Sequence, residues 1–432
     1  MADGIVNTVK TDAHGEPSRA YAWYVVFALC LCQILSSIDA KLPFILVESL
    51  KRDLQLSDTQ IGLVTGPAFS LTYAICAIPI AKLADASSRT TVISIAIIVW
   101  SACTGAAGMA NGFIVFLLLR AGVAMGESAL TPSAHSLLSD YYGEASRHRV
   151  IGLYHLGLPL GYFIALALGG YISDQFGWQS AFFFVGASGA AIAALIFLTV
   201  REPVRSRAVS GARPMPTGSL KSILGNAVLR NLILGGMLFG LTSGAVAGWA
   251  PAYIMRAFHL TATETGASYG AVIGLLGMIG TVGGGFIGAM LTKRGAHFAL
   301  TVLAFLLFVT IFTQIGGLMV QNYAVFLILM ALTALFSSFY IAPTFATIQS
   351  TVDPGARSFA SAVAMFAING IGFAFGSFFA GWLSDMLRPS MGDDSLRWAL
   401  ILMTSLKLWA VVHFWRASRH LKSEYMANGG KM

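Results

Sequence analysis

Charge is scarce in this chain. Asp, Glu, Lys and Arg make up 11% of its 432 residues, against 56% hydrophobic residues and a mean hydropathy of +0.74. Soluble domains carry about 25% charged residues, so a soluble globule is excluded. Cysteine is sparse as well. The four, Cys30, Cys32, Cys76 and Cys103, all fall in apolar runs, and Cys30 and Cys32 sit on different helix faces, so neither a disulfide framework nor a metal site follows. The eight histidines form no i, i+4 pair around an acid, which leaves zinc chemistry without support. No phosphate-cradling glycine-lysine loop occurs, and Gly283-Gly284-Gly285 has apolar flanks and no strand before it, so no nucleotide cofactor is implied. A membrane enzyme would need a convergent nucleophile, metal or acid pair, and none appears at a recognised spacing. The expectation is a protein that is not an enzyme, has no cofactor and draws energy from an ion gradient.

What remains is a series of apolar runs long enough to cross a bilayer, which takes about 20 residues at 1.5 Å each. About twelve helices are expected, starting near Tyr21, Gln60, Thr90, Gly112, Arg149, Trp178, Leu229, Glu264, His297, Asn322, Phe359 and Leu396. Residues before Arg19 carry charges too early for a secretory signal, so the first run is expected to stay as a span. Lys and Arg gather on alternate loops. Counting Lys10, Arg19, Lys82, Arg89, Arg147, Arg149, the Arg201 to Arg230 stretch, Lys293, Arg294, Arg357 and the Arg416 to Lys431 tail, one side holds 19 of the 27 basic residues, against five on the other. The positive-inside rule then puts both termini in the cytoplasm. The net charge of +8 follows from that bias and, being scattered over loops, gives no nucleic-acid patch.

The two halves repeat. An offset of 211 residues relates Pro132 to Pro343, and also Gly170-Tyr171-Ile172-Ser173-Asp174 to Gly381-Trp382-Leu383-Ser384-Asp385. Helices four and five therefore correspond to ten and eleven, which implies an all-α membrane protein of two pseudo-symmetric six-helix bundles. The expected organisation is a cytoplasmic tail over 1–20, a first bundle over 21–200, a cytoplasmic linker over 201–228, a second bundle over 229–416 and a tail over 417–432. Such parallel repeats belong to transporters that bind substrate between the halves near mid-membrane and rock one half against the other. Glycines at 266, 270, 274, 277, 280, 284 and 288 suit helices that pack closely while they move.

Between Arg89 and Asp140 only Arg120 and Glu127 are charged, and both lie within the apolar run from Gly112 to Thr131. A charge at mid-membrane costs at least about 2.5–3.5 kcal/mol and marks function. Seven residues are about two helical turns, so the two share a face. Asp39 lies at similar depth in the first helix and can pair with Arg120.

Several segments resemble the major facilitator superfamily, and more narrowly its bacterial spinster branch. Leu54-Gln55-Leu56-Ser57-Asp58-Thr59-Gln60-Ile61-Gly62-Leu63 resembles the branch's entry to helix two. Ala81 to Arg89, with Asp85 and Arg89, resembles the superfamily signature between helices two and three. Arg120 with Gly126-Glu127 and the Gly157-Leu158-Pro159-Leu160-Gly161 motif resemble helices four and five of the branch. The resemblance implies the major facilitator fold and a transporter of lysolipid or sphingoid compounds. It also implies proton coupling through Asp39 and Glu127 with Arg120 as their basic neighbour, and a bacterial inner-membrane location. The chain departs from the branch where Ala40-Lys41 follows Asp39 in place of an arginine, and where position 86 is Ala.

Asp39 and Glu127 are thus read as coupling carboxylates, the alternative being structural ion-pair partners of Arg120 or Lys41. Asp85 and Arg89 are expected to form a cytoplasmic latch with the ends of helix five or eleven. Lys41, about 200° around the helix from Asp39, can snorkel outward or reach substrate. His155 is either a hydrogen-bonded core residue or a proton relay, and Lys407 either snorkels or meets an anionic group. Trp249, Tyr253, Tyr340 and Asn369 are cavity candidates, with ordinary packing as the alternative. The leading expectation is a monomeric, proton-coupled carrier of a small amphipathic, lipid-like molecule in contact with membrane lipids. The alternative is a symporter of organic anions such as uronates or aromatic acids, against which stands the shortage of Asn and Gln in the spans.

Overall fold

The computed structural model describes residues 18–203, 219–292 and 294–427, and among these every regular element is a helix. Ten apolar stretches are long enough to cross a membrane singly: Arg19–Ile45, Asp58–Ala84, Arg89–Ala107, Phe113–Tyr141, Arg149–Phe176, Trp178–Thr199, Ala227–Phe258, Ala262–Thr292, Ala296–Met319 and Tyr323–Thr351. An eleventh, Phe359–Glu424, is 66 residues long and turns back at Gly392–Asp394, so it supplies spans eleven and twelve. Spans one to six form the first half and seven to twelve the second. With an even number of crossings, both described chain ends lie on one side, the termini side, opposite the far side.

Local chemistry sets where the spans start. Ser18, Ser57, Ser88, Asn226 and Asn322 each accept a hydrogen bond from a backbone N–H of the first helical turn, satisfying a donor the helix cannot satisfy itself. Prolines set where spans bend. Pro132 has no N–H to give the Ser128 carbonyl, and span four is interrupted between Glu127 and Leu130. Its repeat partner Pro343 follows a 3-10 turn at Ser338–Tyr340 in span ten. Span eleven widens into a π-helix over Phe366–Phe373, an arrangement common at functional sites.

Two helices lie in or run into the segments expected as linker and tail. A short helix, Leu220–Gly225, occupies part of the expected linker, whose residues 204–218 lie outside the described residues. The last helix, Lys407–Ala427, runs past Arg416, because its final turns keep apolar residues such as Ala417 and Leu421 buried against the second half.

Buried apolar side chains form three clusters. On the termini side there are two, one built wholly from the first half around Trp100, Leu137 and Tyr154, the other wholly from the second around Leu303, Phe339 and Phe414. On the far side one cluster joins both halves, from Leu42, Phe44 and Ile61 to Trp249, Tyr253 and Leu396. The halves are therefore closed together on the far side and parted on the termini side.

Candidate transport site and gates

Span one brings Asp39 against span four, where Arg120 Nη1 donates to Asp39 Oδ1 at 2.8 Å. Thr104 of span three donates to the other oxygen of Asp39. Both partners are closed off, with Asp39 0% and Arg120 1% exposed. The guanidinium also lies over the Phe69 ring at 5.2 Å. Glu127, two turns along span four, is equally buried but differently served. Ser36 donates to its Oε2 at 2.7 Å, while Oε1 has no hydrogen-bond partner. The three deep charges thus meet in one cluster, in which one acid has a cation and the other only a hydroxyl.

Lys41 does not snorkel. Its face of span one points at the other half, and Nζ sits 5.0 Å from the Phe44 ring and 4.7 Å from the ring of Phe373 in span eleven, a cation–π sandwich across the halves. No ion pair to Lys41 occurs among the described residues. Lys407 does not snorkel either. It is buried between spans nine and twelve, with Nζ 2.5 Å from Gln314 Oε1 and 3.4 Å from Thr310 Oγ1, and no acid beside it among the described residues.

Of the aromatic candidates, two belong to packing. Trp249 donates to the Ser377 carbonyl at 2.8 Å and Tyr253 to the Leu318 carbonyl at 2.8 Å, and both are sealed in the far-side core. Tyr340 packs on Phe239 with ring centroids 4.4 Å apart and stays half-buried, while Asn369 is exposed on the π-helix of span eleven. His155 of span five meets His135 of span four, Nε2 to Nε2 at 3.1 Å.

Arg89 pairs with residues other than the expected ends of span five or eleven. Its Nη1 pairs with Asp140 at 2.6 Å and its Nε with Glu202 at 2.7 Å, so it ties span three to the ends of spans four and six within the first half. Burial works against the charge of Glu202, but the Thr90 backbone N–H, Arg89 and the Thr90 hydroxyl outweigh it and hold this carboxyl below its usual range. The side chain of Asp85 lies outside the described residues.

The contacts that close the far side were missed in the sequence. Asp385, at the end of span eleven, accepts from the backbone N–H groups of Asp58 at 3.1 Å and Thr59 at 2.7 Å, and from the Thr59 hydroxyl at 2.6 Å. It caps span two from the opposite half. Asp174, at the end of span five, does the same for span eight, accepting from Thr263 N–H and Oγ1, both at 2.7 Å. Beside the first of these seams, Arg256 holds Asp58 and Glu48, and Ser384 donates to Asp58 at 2.7 Å. Glycine is required along both seams, since a Cβ on Gly170 or Gly381 would strike the carbonyl of Ala262 or Asp58 respectively. A signal existed. Ser57 with Gln60 makes a capping box, Thr261 with Glu264 makes another, and Leu56-Ser57 and Leu260-Thr261 share one spacing to Gly62 and Gly266.

No group of three or more His, Cys, Asp or Glu side chains that could hold a metal occurs among the described residues. A buried charge cluster beside a cleft between two pseudo-symmetric six-helix halves, parted on one side and latched on the other, defines an alternating-access carrier. The Major Facilitator Superfamily profile matches residues 29–367, and the chain belongs to that family. It is a secondary-active membrane transporter and not an enzyme. It is 28% identical to an MFS-type efflux pump of Mycolicibacterium smegmatis over 97% of each chain. A hexuronate transporter of Bacillus subtilis is 27% identical, over 91% of this chain and 94% of the relative. In solved structures, a bacterial homologue of the human lysosomal transporter spinster, in an inward-facing conformation, superposes with a TM-score of 0.85. It is 26% identical and covers 94% of this chain and 99% of that one. The fold is therefore closely related to the spinster-like branch.

Proposed function

We propose that this chain couples proton movement to the transport of a small amphipathic, lipid-like molecule, with Asp39, Glu127 and Arg120 as the coupling cluster. The observation that carries the reading is Glu127, buried beside the Asp39–Arg120 pair with one oxygen held by Ser36 and the other by nothing. An unpaired buried charge costs several kcal/mol, and a proton on Oε1 removes that cost. Loading and unloading this proton then biases which side of the cleft is open. In this reading Arg89 is part of a gate on the termini side, acting through Asp140 and Glu202, and that side faces the cytoplasm of a bacterial cell.

The lipid-like substrate is supported by an apolar groove of about 340 Å³ between spans seven and eleven. It is lined by Met237, Leu238, Leu241, Ile371, Phe375 and Phe379 and lies next to the Phe373 that carries Lys41. A long tail suits the groove and an anionic head suits Lys41. A second reading, a symporter of small organic anions, draws on Lys41 alone and on the likeness to a hexuronate transporter.

Proteoliposomes under a pH gradient test both. Gradient-driven flux of a labelled lysophospholipid, lost in Asp39→Asn and Glu127→Gln, is expected. Flux of a labelled hexuronate alone would install the second reading, and lysophospholipid flux indifferent to the gradient and to both substitutions would remove the coupling cluster.

A further inference from the structure

Thr131 and His135 stand at i and i+4 on the helix Leu130–Tyr141, which continues span four toward the termini side from the break after Glu127. Glu127 itself is 3% exposed, so water in the parted cleft does not touch it. What lies below it is polar. The phenols of Tyr73 in span two and Tyr154 in span five converge on the Thr131 hydroxyl, Tyr154 Oη without an aligned hydrogen bond of its own. Tyr154 is fully buried, and its ring lies 5.5 Å from that of His135 and 5.1 Å from that of His155. The two imidazoles then join at 3.1 Å and are half-buried, the outermost members of the row. The Ser128 carbonyl, which Pro132 cannot serve, adds an acceptor between Glu127 and Thr131.

We infer that this row is the route by which Glu127 exchanges its proton with the termini side, ending on the His135–His155 pair. The inference rests on the proposed proton coupling and adds its pathway. In unloading, the Glu127 O–H bond breaks and leaves a carboxylate. Each hydroxyl or intervening water accepts one proton and passes on another, and an imidazole nitrogen gains the N–H that it later gives to bulk water. Only the carboxyl and the imidazole change charge. The pair stores a single proton, because one imidazolium donates well to a neutral imidazole while two imidazolium ions at this distance repel.

The surroundings suit a relay. On the neighbouring elements, Cys30 of span one donates to the Leu153 carbonyl, and Arg89 of span three is committed to Ser136, Asp140 and Glu202. On its own elements Tyr154 meets both rings, while Asp140 is held by Arg89 and Arg147 donates to the Ser139 carbonyl at 3.2 Å. No carboxylate pairs with either imidazole among the described residues.

The test needs no substrate. In the purified full chain, a rapid pH jump is followed by infrared absorption in the protonated-carboxyl region, and the band that Glu127→Gln abolishes reports Glu127. The double variant His135→Gln/His155→Gln and the single variant Thr131→Val are expected to slow this band about tenfold or more with its final amplitude unchanged. Thr131→Ser, which restores the hydroxyl, keeps the wild-type rate. A wild-type rate in both the double variant and Thr131→Val overturns the route while leaving the coupling cluster standing. Absence of any Glu127-dependent band in the wild type across the jump removes the coupling reading itself, and the route with it.

Discussion

Asp385→Ala removes three acceptor contacts that exist only while the far side is closed. The N–H groups of Asp58 and Thr59 and the Thr59 hydroxyl lose their carboxylate. When the far side is open, the same groups meet water with or without Asp385, so the loss falls on the closed state alone. Cap removal costs about 0.5–2 kcal/mol and a hydrogen bond to a charged group about 1.5–3. Because water replaces part of what is lost, the net shift is about 2 kcal/mol, or roughly 30-fold in the equilibrium. A starting preference of about 9:1 for the closed far side then becomes roughly 1:3. Spin labels on the exposed far-side positions Arg52 and Arg388, one in each half, should report this by double electron–electron resonance as a new long-distance component. Asp174→Ala should act similarly, and Asp393→Ala, an exposed acid in the nearby turn, should do nothing. An unchanged distance distribution in Asp385→Ala would refute the reasoning, because the seam would then be held by packing alone.

Two further predictions concern stability. Lys407→Met replaces a buried cation that has no acid beside it among the described residues with an apolar side chain of similar length. Thermal unfolding is expected to shift upward by about 2 °C or more, and a fall of that size would mean that the Gln314 contact outweighs the burial of the charge. Glu202→Gln is expected to lower the melting temperature by a few degrees at neutral pH. Since the Glu202 carboxyl sits below its ordinary value of 4.5, its stabilisation is complete above that value and is lost as the pH falls through the lowered one. The gap between wild type and variant should therefore be constant from about pH 5 to 8 and close only below about pH 4. A gap that widens on acidification would contradict this.

The architecture was legible because a chain so poor in charge leaves each span visible between its basic loops, and because two motifs recur at one offset. Asp39, Arg120 and Glu127 were legible for the same reason: a charge inside an apolar run has few explanations. Other residues were not. Trp249 and Tyr253 look alike as cavity walls or as packing, and only their contacts with carbonyls in the far-side core decide for packing. Lys41 was placed in the right span, but its helical phase does not say what lies opposite, and the opposing ring comes from span eleven. His135 was passed over because a lone histidine on an apolar face carries no message until His155 is seen beside it. Arg89 was expected to pair with the end of span five or eleven, but its partners are Asp140 and Glu202, which lie far along the chain, where spacing is silent. The far-side seams show this limit most clearly. Their capping boxes are local and readable, while the acids that complete them come from the opposite half.

Those seams have a consequence beyond gating. Each half carries a capping box on its second span and an acid on its fifth, and each acid fits the other half's box. Two bodies that offer one another the same pair of complementary parts meet as the subunits of an isologous dimer do. The far-side faces of the two halves therefore match one another by the same pair of contacts, once in each direction.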